Sequence, residues 1–226
     1  LFPGVVIPIT VGRDKSIRAI QKAYDQHRIV AVLSQKDAKV ESPSKEDLFE
    51  VGTLARIIKL IRMPDGSTTA ILQGRKRFRL VEMISETPFM QGTVEELKYV
   101  MPEEKLEFEA MIATITDKAK QIIQLSPQIP SEAILMIRNI NNPGFLVNFI
   151  SSNLGAKLAL KQSLLEQDDL NLKAISLLEQ MDNELQLLEL KDQIESKVRT
   201  DIEKQQRDYY LNQQLKTIQE ELGQNP

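Results

Sequence analysis

The chain has 226 residues, enough for one large or two small domains with a real core, and its 42% hydrophobic and 27% charged residues are ordinary for a soluble protein. The net charge of −3 sets it apart from the strongly basic nucleic-acid binders, and no apolar run approaches the roughly 18 residues of a membrane span. Cysteine is absent, which excludes disulfides and thiolate metal sites and fits a reducing, cytoplasmic setting.

Charge and chain punctuation divide the sequence near residue 98. Residues 1–98 hold 16 Lys/Arg and 12 Asp/Glu, a balance of +4; residues 99–226 hold 13 and 20, a balance of −7. The first part also holds six of the nine glycines. Its opening, LFPGVVIPIT, carries no basic segment and is not read as a signal peptide. Residues 5–10 predict a strand that Pro8 pushes towards a sheet edge. Asp14 is placed to cap a helix running to about Gln26, and residues 29–34 (IVAVLS) predict a short buried strand. A polar loop over 36–48 follows. Residues 51–63 and 68–74 flank Pro64-Asp65-Gly66-Ser67, strong turn chemistry, and predict a hairpin. Two further strands are expected at 79–84 and 92–97. One helix among about six strands points to a small, mostly antiparallel, partly closed sheet.

Beyond Pro102 the apolar period changes to that of helices. Segments 103–125, 132–140, 145–153 and 156–166, with Ser131 as a cap and Asn141–Gly144 as a turn, predict a compact bundle over 99–167. Asp168 and Asp169 then break and recap the chain. From 156 to 222 there is no glycine or proline, so residues 171–222 predict a single helix of roughly 78 Å. Leu178, Met181, Leu185 and Leu188 have the spacing of a packed face. Ten of the eighteen residues in 191–208 are charged, five of each sign, with only Ile194, Val198 and Ile202 as an apolar line. That stretch predicts a solvated spacer carrying Glu195–Arg199 and Glu203–Arg207 pairs. Leu211, Leu215 and Ile218 restore apolar density before a Gly223 cap. The expected α+β architecture is a β-rich domain (1–98), a helical bundle (99–167) and a long helix (168–226).

No catalytic constellation is present. The one histidine, His27, has no carboxylate cluster beside it and reads as a helix-terminal or surface residue. Neither a nucleophile elbow nor metal-ligand spacing occurs, and no cofactor is expected in this segment. Function must then rest on binding. Arg75, Lys76, Arg77 and Arg79 around Phe78 could grip phosphate and stack on a base; the alternative is a solvated turn whose Phe78 and Leu80 enter the core while the cations stay wet. Phe2 and Pro3, with Phe89 and Met90, could form an apolar patch for unfolded polypeptide, or could be core residues.

Several stretches resemble the N-terminal region of the Lon ATP-dependent proteases: LFPGVVIPITVGRDKSI at the start, DLFEVGTLARI from Asp47, the MPDG turn, and above all QQRDYYLNQQLKTIQEELG from Gln205. The likeness covers almost the whole chain in order, with Leu1 slightly inside the family's usual start. It implies a pseudouridine-synthase-like (PUA-like) β domain, a helical bundle and a long helix leading to an ATPase and a serine protease module. ATP and Mg²⁺ would belong to that ATPase. Such regions are expected to recognise unfolded, damaged or degron-bearing proteins and to support a hexamer, without membrane contact. Tyr209, Tyr210, Leu211, Leu215 and Ile218 are the expected assembly contacts, with packing on the same subunit's ATPase as the alternative. Nucleic-acid binding through the Arg75 to Arg79 segment is the less favoured reading.

Overall fold

The structure is a computed structural model that describes residues 1–64 and 67–221. Asp65 and Gly66, the centre of the predicted turn, and the predicted helix end at Leu222 and Gly223 lie outside the described residues.

Among these residues five strands form one sheet in which every named pairing is antiparallel: β1 (Val6–Val11), β2 (Ile29–Val32), β3 (Val51–Arg62), β4 (Thr68–Ser85) and β5 (Gln91–Leu97). The order is β1-β4-β3-β2. Along β4, residues 68–73 pair with β1 and residues 77–85 with β5, while β3 runs along the other edge. The two strands predicted at 68–74 and 79–84 are thus one strand of 18 residues. The Arg75 region is no turn. It is a β-bulge, where the β3 partner jumps from Gly74 to Lys76.

Helix α1 (Asp14–Asp25) lays Ile17, Ile20 and Tyr24 against Val11, Ala55, Ile57, Ala70 and Leu72 of the sheet. Its cap position is Arg13, so the predicted Asp14 cap sits one residue inside the first turn, where its charge still favours the helix dipole. The helix ends where Arg28 adopts a left-handed backbone (φ 56°), its N–H donating to the Ala23 carbonyl at 2.7 Å and its guanidinium lying 4.7 Å over the Tyr24 ring. His27 is exposed just before it.

The helical half comprises α2 (Lys105–Leu125), α3 (Ala133–Arg138), α4 (Pro143–Asn153), α5 (Leu158–Glu166) and α6 (Leu170–Glu221). Proline opens α4, and the Asn142 carboxamide caps it by accepting from the Phe145 N–H at 2.8 Å. Glu132 takes the cap position predicted for Ser131. Asp169 caps α6 by accepting from the N–H groups of Asn171 and Leu172, at 2.8 and 3.1 Å. Ile115, Val147, Ala174, Leu177 and Met181 are fully excluded from water in a core that also takes in Phe2, Val5 and Val51. Each large aliphatic side chain buried there contributes about 1.5–3 kcal/mol. Packing is therefore continuous across residue 98, while the residues under α1 form a second core confined to the sheet side.

Candidate functional site

Three places carry side chains that the packing alone does not explain. The first is the seam between sheet and helices. Arg77, in the middle of β4, is 1% exposed. Its Nη1 donates to the carbonyls of Leu165 and Gln167, both at 2.9 Å, and its Nη2 to the Lys98 carbonyl at 3.1 Å. The first two are carbonyls at the C-terminus of α5 that no helical N–H can satisfy. Asp168 Oδ1 lies 2.9 Å from Nη2, close enough for charge attraction but off the hydrogen-bond line, and Nε finds no acceptor. The guanidinium stacks 4.0 Å from the Tyr99 ring.

Tyr99 leads on to Lys173. The tyrosine hydroxyl donates to Asn148 Oδ1 at 2.9 Å, and Lys173 Nζ donates to the Tyr99 hydroxyl at 2.9 Å and to Asn148 Oδ1 at 2.6 Å. The same ammonium lies 4.9 Å over the Phe2 ring. Burial, and after it the Arg77 charge, hold the Lys173 ammonium well below the usual lysine range. Burial pushes the Tyr99 hydroxyl up against the opposing effect of Arg77.

This arrangement corrects two readings of the sequence. Arg77 does not stay wet and cannot reach a phosphate; of the proposed basic cluster, only Arg75, Lys76 and Arg79 are exposed, and Lys76 is paired with Glu96 at 2.7 Å. Phe78 and Leu80 do enter the core. Phe2, proposed as a surface contact, is 3% exposed because it packs into the helical core, with the Lys173 ammonium over its ring. Pro3 is half-buried, and its carbonyl accepts from Asn148 Nδ2 at 3.4 Å.

The second place is the free end of the β4–β5 hairpin. Phe89 and Met90 are half-buried there, with Val81 and Ile84 exposed nearby in β4. Phe2 abuts Gly74, eleven residues back along β4, so the two proposed apolar pairs are on the order of 30 Å apart and form no single patch.

The third is α6. Its 52 residues run roughly 78 Å, and every described residue from 191 onwards is exposed. Leu178, Met181, Leu185 and Leu188 pack on the core as their spacing predicts. Glu195 turns to Lys191 (3.8 Å) instead of Arg199, and the Glu203–Arg207 pair is not formed. Tyr209, Tyr210, Leu211, Leu215 and Ile218 are 49–68% exposed, and both tyrosine hydroxyls bond only one turn along their own helix, to Gln213 and Gln214. Among the described residues no group of three His, Asp or Glu side chains converges as a metal site, and no helix is long and apolar enough to cross a membrane.

Sequence comparison matches residues 1–183 to the ATP-dependent protease La (LON) substrate-binding domain. The chain belongs to the Lon protease family. It is 50% identical over 224 residues to a Lon protease of Flavobacterium johnsoniae and 47% identical over 224 residues to one of Cytophaga hutchinsonii. These alignments take in 99% of this chain but only 27% and 28% of those proteins, so the chain spans about a quarter of the length of its Lon relatives. The N-terminal domain of a Mycobacterium avium complex Lon protease superposes with a TM-score of 0.65 over 80% of this chain and 92% of its own, at 20% identity. A Lon N-terminal domain protein from Xanthomonas campestris gives 0.56 over 79% and 90%, at 17% identity. The sheet followed by helices is therefore the fold of Lon N-terminal domains, and this segment is the non-catalytic, substrate-binding region of a Lon protease.

Proposed function

We propose that this segment captures unfolded, damaged or degron-bearing proteins for an ATP-dependent Lon-type serine protease in the cytoplasm and supports assembly of its hexamer. One observation supports the capture half: towards its end the β4–β5 hairpin leaves Val81 and Ile84 exposed and Phe89 and Met90 half-buried, apolar side chains of the kind that grip polypeptide without sequence specificity. Weak, tolerant contact suits a protein that must pass its captive on. The assembly half is supported by α6. A helix exposed on all sides over its last 31 described residues (191–221) gains nothing from tertiary burial in this chain, and helices rely mostly on such burial. Its outer apolar residues are suited to pack on the ATPase module or on neighbouring subunits. ATP and Mg²⁺ would be bound in that module and not here.

The test is retention of a chemically unfolded model protein by the immobilised chain. Phe89→Ser with Met90→Ser should lower retention several-fold without loss of helical signal. Unchanged retention by the folded double variant would refute the assignment of the hairpin end.

A further inference from the structure

The described residues include eight buried polar or charged side chains, and the four largest, Arg77, Asn148, Gln162 and Lys173, lie at one place: the seam between the sheet and the helices. Each reaches across it. Arg77 goes from β4 to the end of α5. Gln162 Nε2 goes from α5 to the Val51 carbonyl at 2.9 Å, and Asn148 Nδ2 from α4 to the Pro3 carbonyl. Lys173 runs from the first turn of α6 to the Phe2 ring. Beside them the chain leading into α2 is zipped to the chain leading into α6. Val100 N–H donates to the Asp168 carbonyl at 2.9 Å, and Leu170 N–H to the Val100 carbonyl at 3.1 Å.

Apolar contact is non-directional, so two greasy faces can slide over one another at small cost. Buried hydrogen bonds are directional, and leaving one unmade strands a desolvated group. A seam carrying both an apolar core and four keyed polar side chains therefore has one favoured angle.

We propose that Arg77 and its partners form a fixed joint, which makes the sheet domain and the base of the long helix a single rigid lever. Displacement of the sheet by a bound polypeptide would then be transmitted along α6 instead of being absorbed at a hinge. The fork geometry of Arg77 is central. Three carbonyls from two separate segments converge on one planar guanidinium, which a lysine ammonium on a shorter reach cannot reproduce.

The chain has no cysteine of its own, so spin labels can be placed at Lys59→Cys on β3 and Glu179→Cys on the packed part of α6, both exposed positions. Double electron–electron resonance should give one narrow distance distribution in this background. Arg77→Met and Arg77→Lys should each lose it to a broad one while hydrogen exchange still reports an intact sheet and intact helices. A broad distribution before the Arg77 change, or a narrow and unshifted one in both variants, would overturn the proposal. If Arg77→Met does not fold, Arg77→Lys decides alone, a broad distribution supporting the joint and an unshifted narrow one refuting it.

Discussion

Replacing Lys173 by methionine should make the protein's stability less dependent on pH while costing little near neutrality. Lys173 is 0% exposed, and its ammonium is held well below the usual lysine range by burial first and by Arg77 second. In the unfolded chain it titrates near the ordinary value of about 10.4. Between the lowered folded value and that unfolded value, the unfolded state binds more protons than the folded one, so stability must rise with pH. The contribution is full above about pH 10.4 and is lost as pH falls towards the folded value. While the two states differ by one proton, the slope is up to about 1.4 kcal/mol per pH unit. Methionine matches the lysine stem in length and leaves the hydrogen bond between Tyr99 and Asn148 in place. Removing a buried charge for an isosteric apolar group is commonly neutral or stabilising by about 1–4 kcal/mol. Urea unfolding at several pH values from about 7 to about 9.5, below the range where tyrosines titrate, measures both effects. Wild type should gain stability over that range, and Lys173→Met should gain less. Parallel curves for the two proteins would refute the assignment of Lys173 as a buried amine whose proton affinity is lowered by folding.

Three further outcomes follow from the same packing. Leu177→Ala, at a position with 0% exposure, should cost about 2–5 kcal/mol in denaturant unfolding, whereas Ile202→Ala, 49% exposed, should stay within about 0.5 kcal/mol for the single chain. Gly4→Ala should destabilise by about 1–3 kcal/mol, read as a lower melting temperature, because the backbone is left-handed there (φ 84°) and a Cβ would strike the Phe145 ring. On the proposed role of α6 in assembly, Leu215→Asp in the full-length protein should give smaller species than wild type on sizing chromatography, while hydrogen exchange over residues 1–98 stays as in wild type.

The parts of the fold that were legible in the sequence depend on local signals. The long helix could be read because nothing between 156 and 222 can break it, and its start because Asp169 offers a carboxylate just where the first N–H groups need one. The exposure of 191–208 followed from its balanced charges. The segment from Arg75 to Arg79 reads as wet because four cations in five residues resist burial anywhere water is the only partner. Here Arg77 is buried because acceptors wait for it at Leu165 and Gln167, 88 and 90 positions away. The same holds for Lys173, whose partners Tyr99 and Asn148 lie 74 and 25 positions away. For Phe2 the sequence leaves patch and core both open for the matching reason: the surface that covers it comes from the other half of the chain. The Arg28 turn carried no glycine to announce it. The family resemblance reached the right parentage through the outer segment of α6, whose residues touch nothing else in the described chain.

The surface proposed to hold polypeptide is the end of the β4–β5 hairpin in the sheet domain. Hydrogen exchange of this chain with and without an excess of a chemically unfolded model protein tests it most directly. Exchange should slow over residues 81–92 and stay unchanged over 191–208. Protection confined to the long helix, or none anywhere despite measurable binding, would contradict it.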